Sequence, residues 1–511
     1  MPYTALLLSL VLAAAPSDDF TLGPPLGPYV VAGDASAPAG RDFTPGTPTV
    51  ATTYFYWYDV ETNYHILNPD GSDALTTHPP TLEGFSYKNI QWHYTQLEDM
   101  MAAGIDVAMP VYWGYPGAAE DHWSDVGLGP LVAAREKLVE EGREPAAIGM
   151  FYDTSTLEWN RFGYHVDLTT AAGRKWFYGT IRNFFSQIPP RHRATVDGKP
   201  LVFLYTAHFA RAVDEDLFPA VREMFREDFG TDLFLVKMRD WPGEADSEYQ
   251  WGGALAPQIL DTAALGPGYD HTAVPGREPL IRDREEGDFY RFSWERLLSR
   301  NPQTRPWLVH IETWNEFHEG TDVCESAEYG REYIELTRHY VDRFRAGEHL
   351  DPAAGMARRT EAAVTPGESR GLALRSAADG DGLVEERTVG GRQAWVTRPN
   401  RFSEFRFIYF EADLRFLYDG DETVEVTVGY LDAGPESFTF EYDSADPALA
   451  GLDQEFRHGH EQPIEQTGQW REVTFTIPHA RFANRANGAD FRLGGFGEEL
   501  TVSHVRLRRL P

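Results

Sequence analysis

Two glutamates three residues apart, Glu316 and Glu319, stand in the run Trp314-Asn315-Glu316-Phe317-His318-Glu319-Gly320-Thr321, directly after the apolar segment Trp307–Ile311. A carboxyl pair can divide acid–base work. One group protonates a leaving oxygen while the other acts on the opposite side of the bond, the arrangement that glycosidic cleavage commonly needs. On a helical turn, residues i and i+3 have Cβ atoms roughly 5–6 Å apart, near the ~5–5.5 Å carboxyl spacing of retaining chemistry. The plain alternative for any Glu-x-x-Glu is a solvated pair capping a helix, because carboxylates are mostly exposed. An aromatic, an amide and an imidazole around this pair, just behind a buried-looking strand, favour a pocket instead.

The elements that must position the pair alternate. Strand-like runs at Thr53–Tyr58, Ile105–Val111, Ala147–Tyr152, Leu201–Tyr205, Leu233–Met238 and Trp307–Ile311 are separated by helical patterns. Ile90, Tyr94, Leu97 and Met101 recur at helical spacing until Gly104 stops them, and Glu325–Phe344 reads as a closing helix. Weaker strands near Gln250–Leu255 and Ala264–Tyr269 complete an expected (β/α)8 barrel of the TIM type across residues 49–346, with its active site at the C-terminal ends of the strands. Candidate substrate-binding residues fall there: Trp57, Tyr58 and Asp59 after strand one, Tyr112 and Trp113 after strand two, and Asp153 after strand three. Tyr205 and His208 follow strand four, Trp241 strand five and Tyr269 strand seven, while Glu312, Trp314, Asn315 and His318 surround the catalytic candidates Glu316 and Glu319. Any one of these is compatible with ordinary packing. Their recurrence describes a cleft with stacking faces and groups for hydroxyls. Glu312 reads first as a buried, paired structural acid and second as a substrate contact.

Residues 1–15 resemble a secretory signal peptide, so a secreted or periplasmic protein is expected, although no Lys or Arg precedes the apolar run and Pro16 follows it. Residues 16–48 form an extended, Pro- and Gly-rich lead-in, and 347–369 a linker. Beyond it the hydrophobic period changes to two, as at Val424, Val426 and Val428 or Val473, Phe475 and Ile477, which predicts an antiparallel β-sandwich over 370–511. Such a module could bind carbohydrate or serve structure alone. The turn Asp379–Gly382 could hold calcium, a plain turn being the simpler reading.

The 511-residue chain carries 46 basic against 79 acidic residues, a net charge of −33 that repels phosphate backbones and argues against nucleic acid. Aromatics reach 13%, more than packing usually requires. The single cysteine, Cys324, excludes an intrachain disulfide and reads as a buried small hydrophobe rather than a nucleophile. No HExxH spacing, P-loop, dinucleotide fingerprint or Gly-x-Ser-x-Gly elbow appears, so no metal and no cofactor are expected. No membrane span is expected after residue 15, and a monomer is.

The 314–321 octapeptide resembles the motif of glycoside hydrolase family 99, the endo-α-mannosidase/endo-α-mannanase family. The likeness extends more loosely to Tyr54–Asp59, Ala103–Trp113, Gly149–Asp153, Gly198–Tyr205 and Pro267–Asp270. It implies a metal-independent glycoside hydrolase, endo-acting on a polysaccharide or glycan. By position, Glu316 would be a base on the sugar 2-hydroxyl and Glu319 the acid/base. Phe317 departs from the pattern where a Trp is common, Glu312 adds a third acid, and the Asp59–Leu82 insertion with His65 and His78 would set specificity. Two alternatives stay open. One is a conventional retaining glycosidase with Asp153 or Asp270 as nucleophile. The other is an exported glycan-binding protein without turnover.

Overall fold

Eight parallel strands organise the first of two units in the computed structural model, which describes residues 15–17, 20–30, 40–276, 280–350, 359–375, 380–401 and 403–510. The units are Met1–His349 and Leu350–Pro511. The strands are β1 Thr49–Tyr54, β2 Val107–Tyr112, β3 Met150–Tyr152, β4 Lys199–Leu204, β5 Phe234–Met238, β6 Ser247–Tyr249, β7 Thr262–Leu265 and β8 Leu308–Ile311. Each pairs in parallel with the next from β1 to β6, β7 pairs with β8, and β8 closes on β1 with Leu308 opposite Thr49. At the β6–β7 seam the hydroxyls of Ser247 and Thr262 meet at 2.7 Å. Every residue of β1, β2, β5, β7 and β8 is buried, as expected of strands covered on both faces.

The longer helices are α1 Ile90–Ala103, α2 Leu128–Glu140, α3 Ala171–Gln187, α4 Leu217–Phe229, α5 Asp288–Leu298 and α6 Glu332–Arg345. Helix α1 ends as its sequence predicts: Gly104, at φ 82, takes the left-handed cap, and its N–H reaches the carbonyls of Met100 and Met101. The buried stripe of α1 includes Trp92, His93, Leu97, Met100 and Ala103, while Ile90 is exposed.

Three strands lie earlier than the residue pattern predicts. β1 ends at Tyr54, so the aromatic run Phe55–Tyr58 is rim rather than strand. β6 and β7 end before the Gln250–Leu255 and Ala264–Tyr269 windows are complete. At β1 the aromatic residues past the strand end look as strand-like as the Thr, Val and Ala that pair inside it. The closing helix begins at Glu332, later than residue 325, just after Gly330 at φ 53.

In the second unit, a seven-stranded and a five-stranded antiparallel sheet share one core. Val424, Val426 and Val428 are buried and face Ile477, Phe475 and Val473 across the ladder, so the period-two pattern sets this register. The stretch read as linker carries a strand, Glu361–Thr365, that pairs with Thr501–Arg509. Residues 351–358, Asp379 of the candidate calcium turn and the leader at 1–14 lie outside the described residues. From the lead-in, Arg41–Phe43 runs parallel to Ala194–Val196.

Candidate active site

Beyond β8 the chain folds back on itself and fixes the motif loop by its own polar groups. Thr313 N–H donates to the Thr321 carbonyl at 2.9 Å, and Glu316 N–H donates to Thr313 Oγ1 at 2.8 Å. Asn315 acts as a strand partner made of side chain: its Oδ1 accepts from Phe55 N–H at 2.8 Å and its Nδ2 donates to Phe55 O at 2.6 Å. Trp314 is buried, with Nε1 donating to Gln96 Oε1 at 2.7 Å. The Tyr58 hydroxyl donates to Asn315 O at 3.1 Å and accepts from Phe317 N–H at 3.0 Å. Trp314, Asn315 and Tyr58 therefore hold the loop, and the loop presents its carboxyls.

Those carboxyls face a cavity of about 900 Å³ lined by Glu312, Glu316, His318 and Glu319. Glu316 Oε1 meets His318 Nδ1 at 2.7 Å and accepts the His318 backbone N–H at 3.0 Å, whereas its Oε2 is buried with no hydrogen-bond partner. His318 Nε2 lies 3.0 Å from the His65 carbonyl, which can only accept, so this nitrogen carries hydrogen. The short Nδ1–Oε1 contact then requires one further proton, shared between imidazole and carboxyl. Burial pushes Glu316 up, His318 opposes it and Glu319 adds to it; for His318, burial pulls down but the Glu316 charge and hydrogen bond leave it raised. Glu312 is buried more deeply. Its Oε2 accepts from Gly252 N–H at 2.9 Å, its Oε1 has no hydrogen-bond partner, and desolvation pushes it up to about 8. His310 Nδ1, also unpartnered, lies 3.8 Å from that oxygen, and burial pulls His310 down to about 3.

The walls come largely from two segments. The first follows β1: Trp57 lies parallel to His65, with centroids 4.4 Å and planes 2° apart, and Tyr64, Leu67, Asn68 and Ala74 continue the lining. Burial, with the neighbouring His318, pulls His65 down to about 3, so its ring is a neutral wall. Thr76 N–H on Phe317 O at 2.9 Å and Thr76 Oγ1 on His318 O at 2.8 Å dock the far end of this segment onto the motif loop. The second wall is formed by Phe151, Tyr205 and Trp251, with Trp251 5.5 Å from each of the other rings.

Of the residues marked in the sequence, the cavity gathers Trp57, Asp153, Tyr205, Tyr269, Glu312, Glu316, His318 and Glu319. The others do not line it. Asp59 is buried and accepts from Lys88 Nζ at 2.7 Å, Ser86 Oγ at 2.8 Å and Thr62 Oγ1 at 2.8 Å, which pins the wall segment at its root. Trp113 Nε1 donates to Asp153 Oδ2 at 2.7 Å, and Tyr112 OH reaches Asp125 at 2.9 Å. Trp241 is buried with Nε1 on the Tyr205 carbonyl, and His208 is exposed on the turn Ala207–Phe209. Phe55, Phe151 and Trp251 line the cavity without having been marked. Trp251 lies two residues beyond the end of β6, so a correct end for that strand would have exposed it. Cys324 is buried away from the lining, and burial raises its thiol well above the ordinary value, which suits a packing role. Among the described residues no group of three or more His, Cys, Asp or Glu is placed to hold a metal ion, and no helix is long and apolar enough to cross a membrane.

An eight-stranded parallel barrel with an acid-lined cavity at the C-terminal strand ends defines the class. Residues 32–355 match the family described as Domain of unknown function (DUF5010), and the chain belongs to it. It is also similar, at 24% identity over 340 residues covering 58% of this chain and 73% of the relative, to a Danio rerio protein named glycoprotein endo-alpha-1,2-mannosidase-like protein. Among solved structures, two of the GH99 endo-alpha-mannosidase from Bacteroides thetaiotaomicron match at 17% and 16% identity, covering 59% and 58% of this chain and 98% of theirs, both with TM-score 0.43.

Proposed function

We propose that this chain is a glycoside hydrolase that cleaves a neutral polysaccharide or glycan, with Glu316 as base and Glu319 as acid/base. The observation that carries this reading is Glu316 Oε2, a buried carboxylate oxygen without a hydrogen-bond partner on a residue lining the same cavity as Glu319. Buried polar atoms are nearly always satisfied, so an orphan at a cavity points to a ligand group that completes it. Trp57 Nε1, on a ring 5.4 Å from that of His318, is a second such atom. The aromatic walls suit the C–H faces of sugar rings, and the cluster of Glu312, Glu316, Glu319 and Asp153 disfavours anionic sugars. The curated relative named for endo-α-1,2-mannosidase supports an α-linked, endo-cleaved substrate.

In the proposed reaction Glu316 Oε2 takes the proton of the sugar 2-hydroxyl as that oxygen attacks the anomeric carbon. The bond to the leaving oxygen breaks, and that oxygen takes a proton from Glu319. Glu319 then deprotonates a water that opens the epoxide-like intermediate, and Glu316 returns its proton to the 2-oxygen. The configuration is retained. The single proton shared by Glu316 and His318 fits the base role, because an imidazolium beside Glu316 favours its ionised form. A nucleophilic Asp153 fits less well, since its carboxylate already accepts from Trp113 Nε1 and Ser155 N–H. We place the protein outside the cytoplasm on the leader-like residues 1–15, which N-terminal sequencing of the mature protein would check.

The test is hydrolysis of a polysaccharide panel, including yeast α-mannan, by wild type, Glu316→Gln and Glu319→Gln, read by product chromatography. Wild-type activity lost in both variants supports the pair. Activity untouched by either moves the chemistry elsewhere, azide rescue of an Asp153→Ala variant would favour the conventional retaining mechanism, and binding without turnover in wild type would favour a glycan-binding protein.

A further inference from the structure

Tyr205, at the end of β4, is the innermost of a series of rings that leaves the cavity. It lies 5.5 Å from Trp251 on the cavity wall and 6.3 Å from Phe209, tilted by 30° to the latter. Phe209 lies 5.0 Å from Trp159, in the loop that follows β3. This outer pair is held by ordered backbone. Thr154 Oγ1 donates to Thr206 O at 2.6 Å, which ties the two loops together, and Asp240 accepts from Ala207 N–H at 2.8 Å at the start of the turn bearing Phe209. Trp159 N–H donates to Ser155 O at 2.8 Å, and Asn160 Nδ2 holds the carbonyls of Thr156 at 3.0 Å and Tyr164 at 2.8 Å.

On this fixed loop Trp159 is 60% exposed, more than any other large apolar side chain described in the first unit. A single exposed apolar residue needs no explanation. An indole kept in water at the end of a ring series that starts inside the cavity is a different case, because the series is continuous with a site and the loop holds it in place. Exposed His208 meets the Phe209 ring edge-on at 6.1 Å and adds a polar group to an aromatic face, the combination that sugar hydroxyls and C–H faces require together.

We propose that Trp159 and Phe209 form an outer sugar subsite, on which a pyranose ring of the substrate stacks at least one unit away from the bond held at Glu316 and Glu319. This inference rests on the glycoside hydrolase reading and adds to it a substrate long enough to reach beyond the cavity. Shorter substrates end before Trp159, so the side chain discriminates by chain length rather than by chemistry at the cleaved bond. The occupant is part of the same glycan chain, because the rings lead out of the cavity without a break.

The probes are oligosaccharides of increasing length, size-fractionated from whichever panel polysaccharide the wild type degrades. The readout is the ratio of kcat/KM for the longest fraction to that for the shortest fraction cleaved. Trp159→Ala is expected to lower this ratio roughly tenfold, about the value of one aromatic stack, and Trp159→Phe to restore most of it. Phe162→Ala removes an exposed ring of the same loop that packs on Tyr164 and Trp176, outside the series, and is expected to keep the ratio. An unchanged ratio in Trp159→Ala, or an equal loss at every length, overturns the subsite while leaving the hydrolase reading intact. A wild type that degrades nothing in the panel overturns both.

Discussion

Two ends of the same barrel treat a buried acid in opposite ways. At the start of β2, Asp106 accepts from Arg41 at 2.6 Å, from Arg345 at 2.8 Å and from Val50 N–H at 3.0 Å. Its carboxylate is nearly inaccessible and both oxygens are engaged. Past the end of β8, Glu312 and Glu316 are buried as well, yet each keeps one oxygen without a hydrogen-bond partner and each is pushed above its ordinary range. Burial alone therefore does not distinguish a structural acid from a working one. The partners do: guanidinium groups close the account at the strand starts, whereas backbone N–H groups and an imidazole leave it half open at the strand ends, the face where barrels of this kind carry their chemistry.

The sharpest way to break this contrast is at Glu316. Glu316→Gln keeps the shape and removes the base, so hydrolysis should fall by about 10³-fold. Loss of less than tenfold would mean that the unpartnered oxygen is not a reacting one. Glu312 should show its strain in stability. Its carboxyl ordinarily titrates at 4.5 and is raised to about 8 in the folded protein, so between those values folding retains a proton that the unfolded chain releases. Stability then falls as pH rises across that window and levels off above it. Glu312→Gln should accordingly be neutral near pH 4 and stabilising by up to about 5 kcal/mol above pH 8, seen by calorimetry as a rise in Tm of several degrees at the higher pH and none at the lower. A pH-independent difference would show an acid that is ionised throughout. Asp106→Asn should behave in the opposite sense, costing about 2 kcal/mol at neutral pH because the Arg41 and Arg345 partners are partly solvated, with kcat/KM per folded molecule unchanged.

The contrast also explains what could be read from residue types. The Ile90–Gly104 helix and the Val424–Val428 strand follow from periodicity and caps, because each obeys a local rule that tertiary structure did not override. The barrel follows from alternation of strands and helices, but Phe151 was missed as a wall. A strand buried on both faces carries no period that separates inward from outward residues. Trp314 and Asn315 show the converse. Their types suit a binding floor, yet one donates to Gln96 and the other pairs with the Phe55 backbone, and only the folded geometry assigns those hydrogen bonds. His65 was visible as a histidine in an insertion, and its position against Trp57 and His318 depends on a loop closure that spacing does not encode.

The smallest effect tests how the half-open site is kept in its working charge state. His318 is the one charged-capable partner that Glu316 has by hydrogen bond, and its second nitrogen is committed to the His65 carbonyl. Removing the imidazole takes away the group that opposes the upward push of burial and of Glu319 on Glu316. In His318→Gln the base should therefore hold its proton to a higher pH, moving the acid limb of the kcat/KM profile upward. The loss should be about tenfold on that limb and recover as pH rises above it, which a profile measured from pH 4 to 9 would reveal. A loss of the same size at every pH would mean that His318 only orients the carboxylate. The strand-end acid would then differ from Asp106 in its geometry alone.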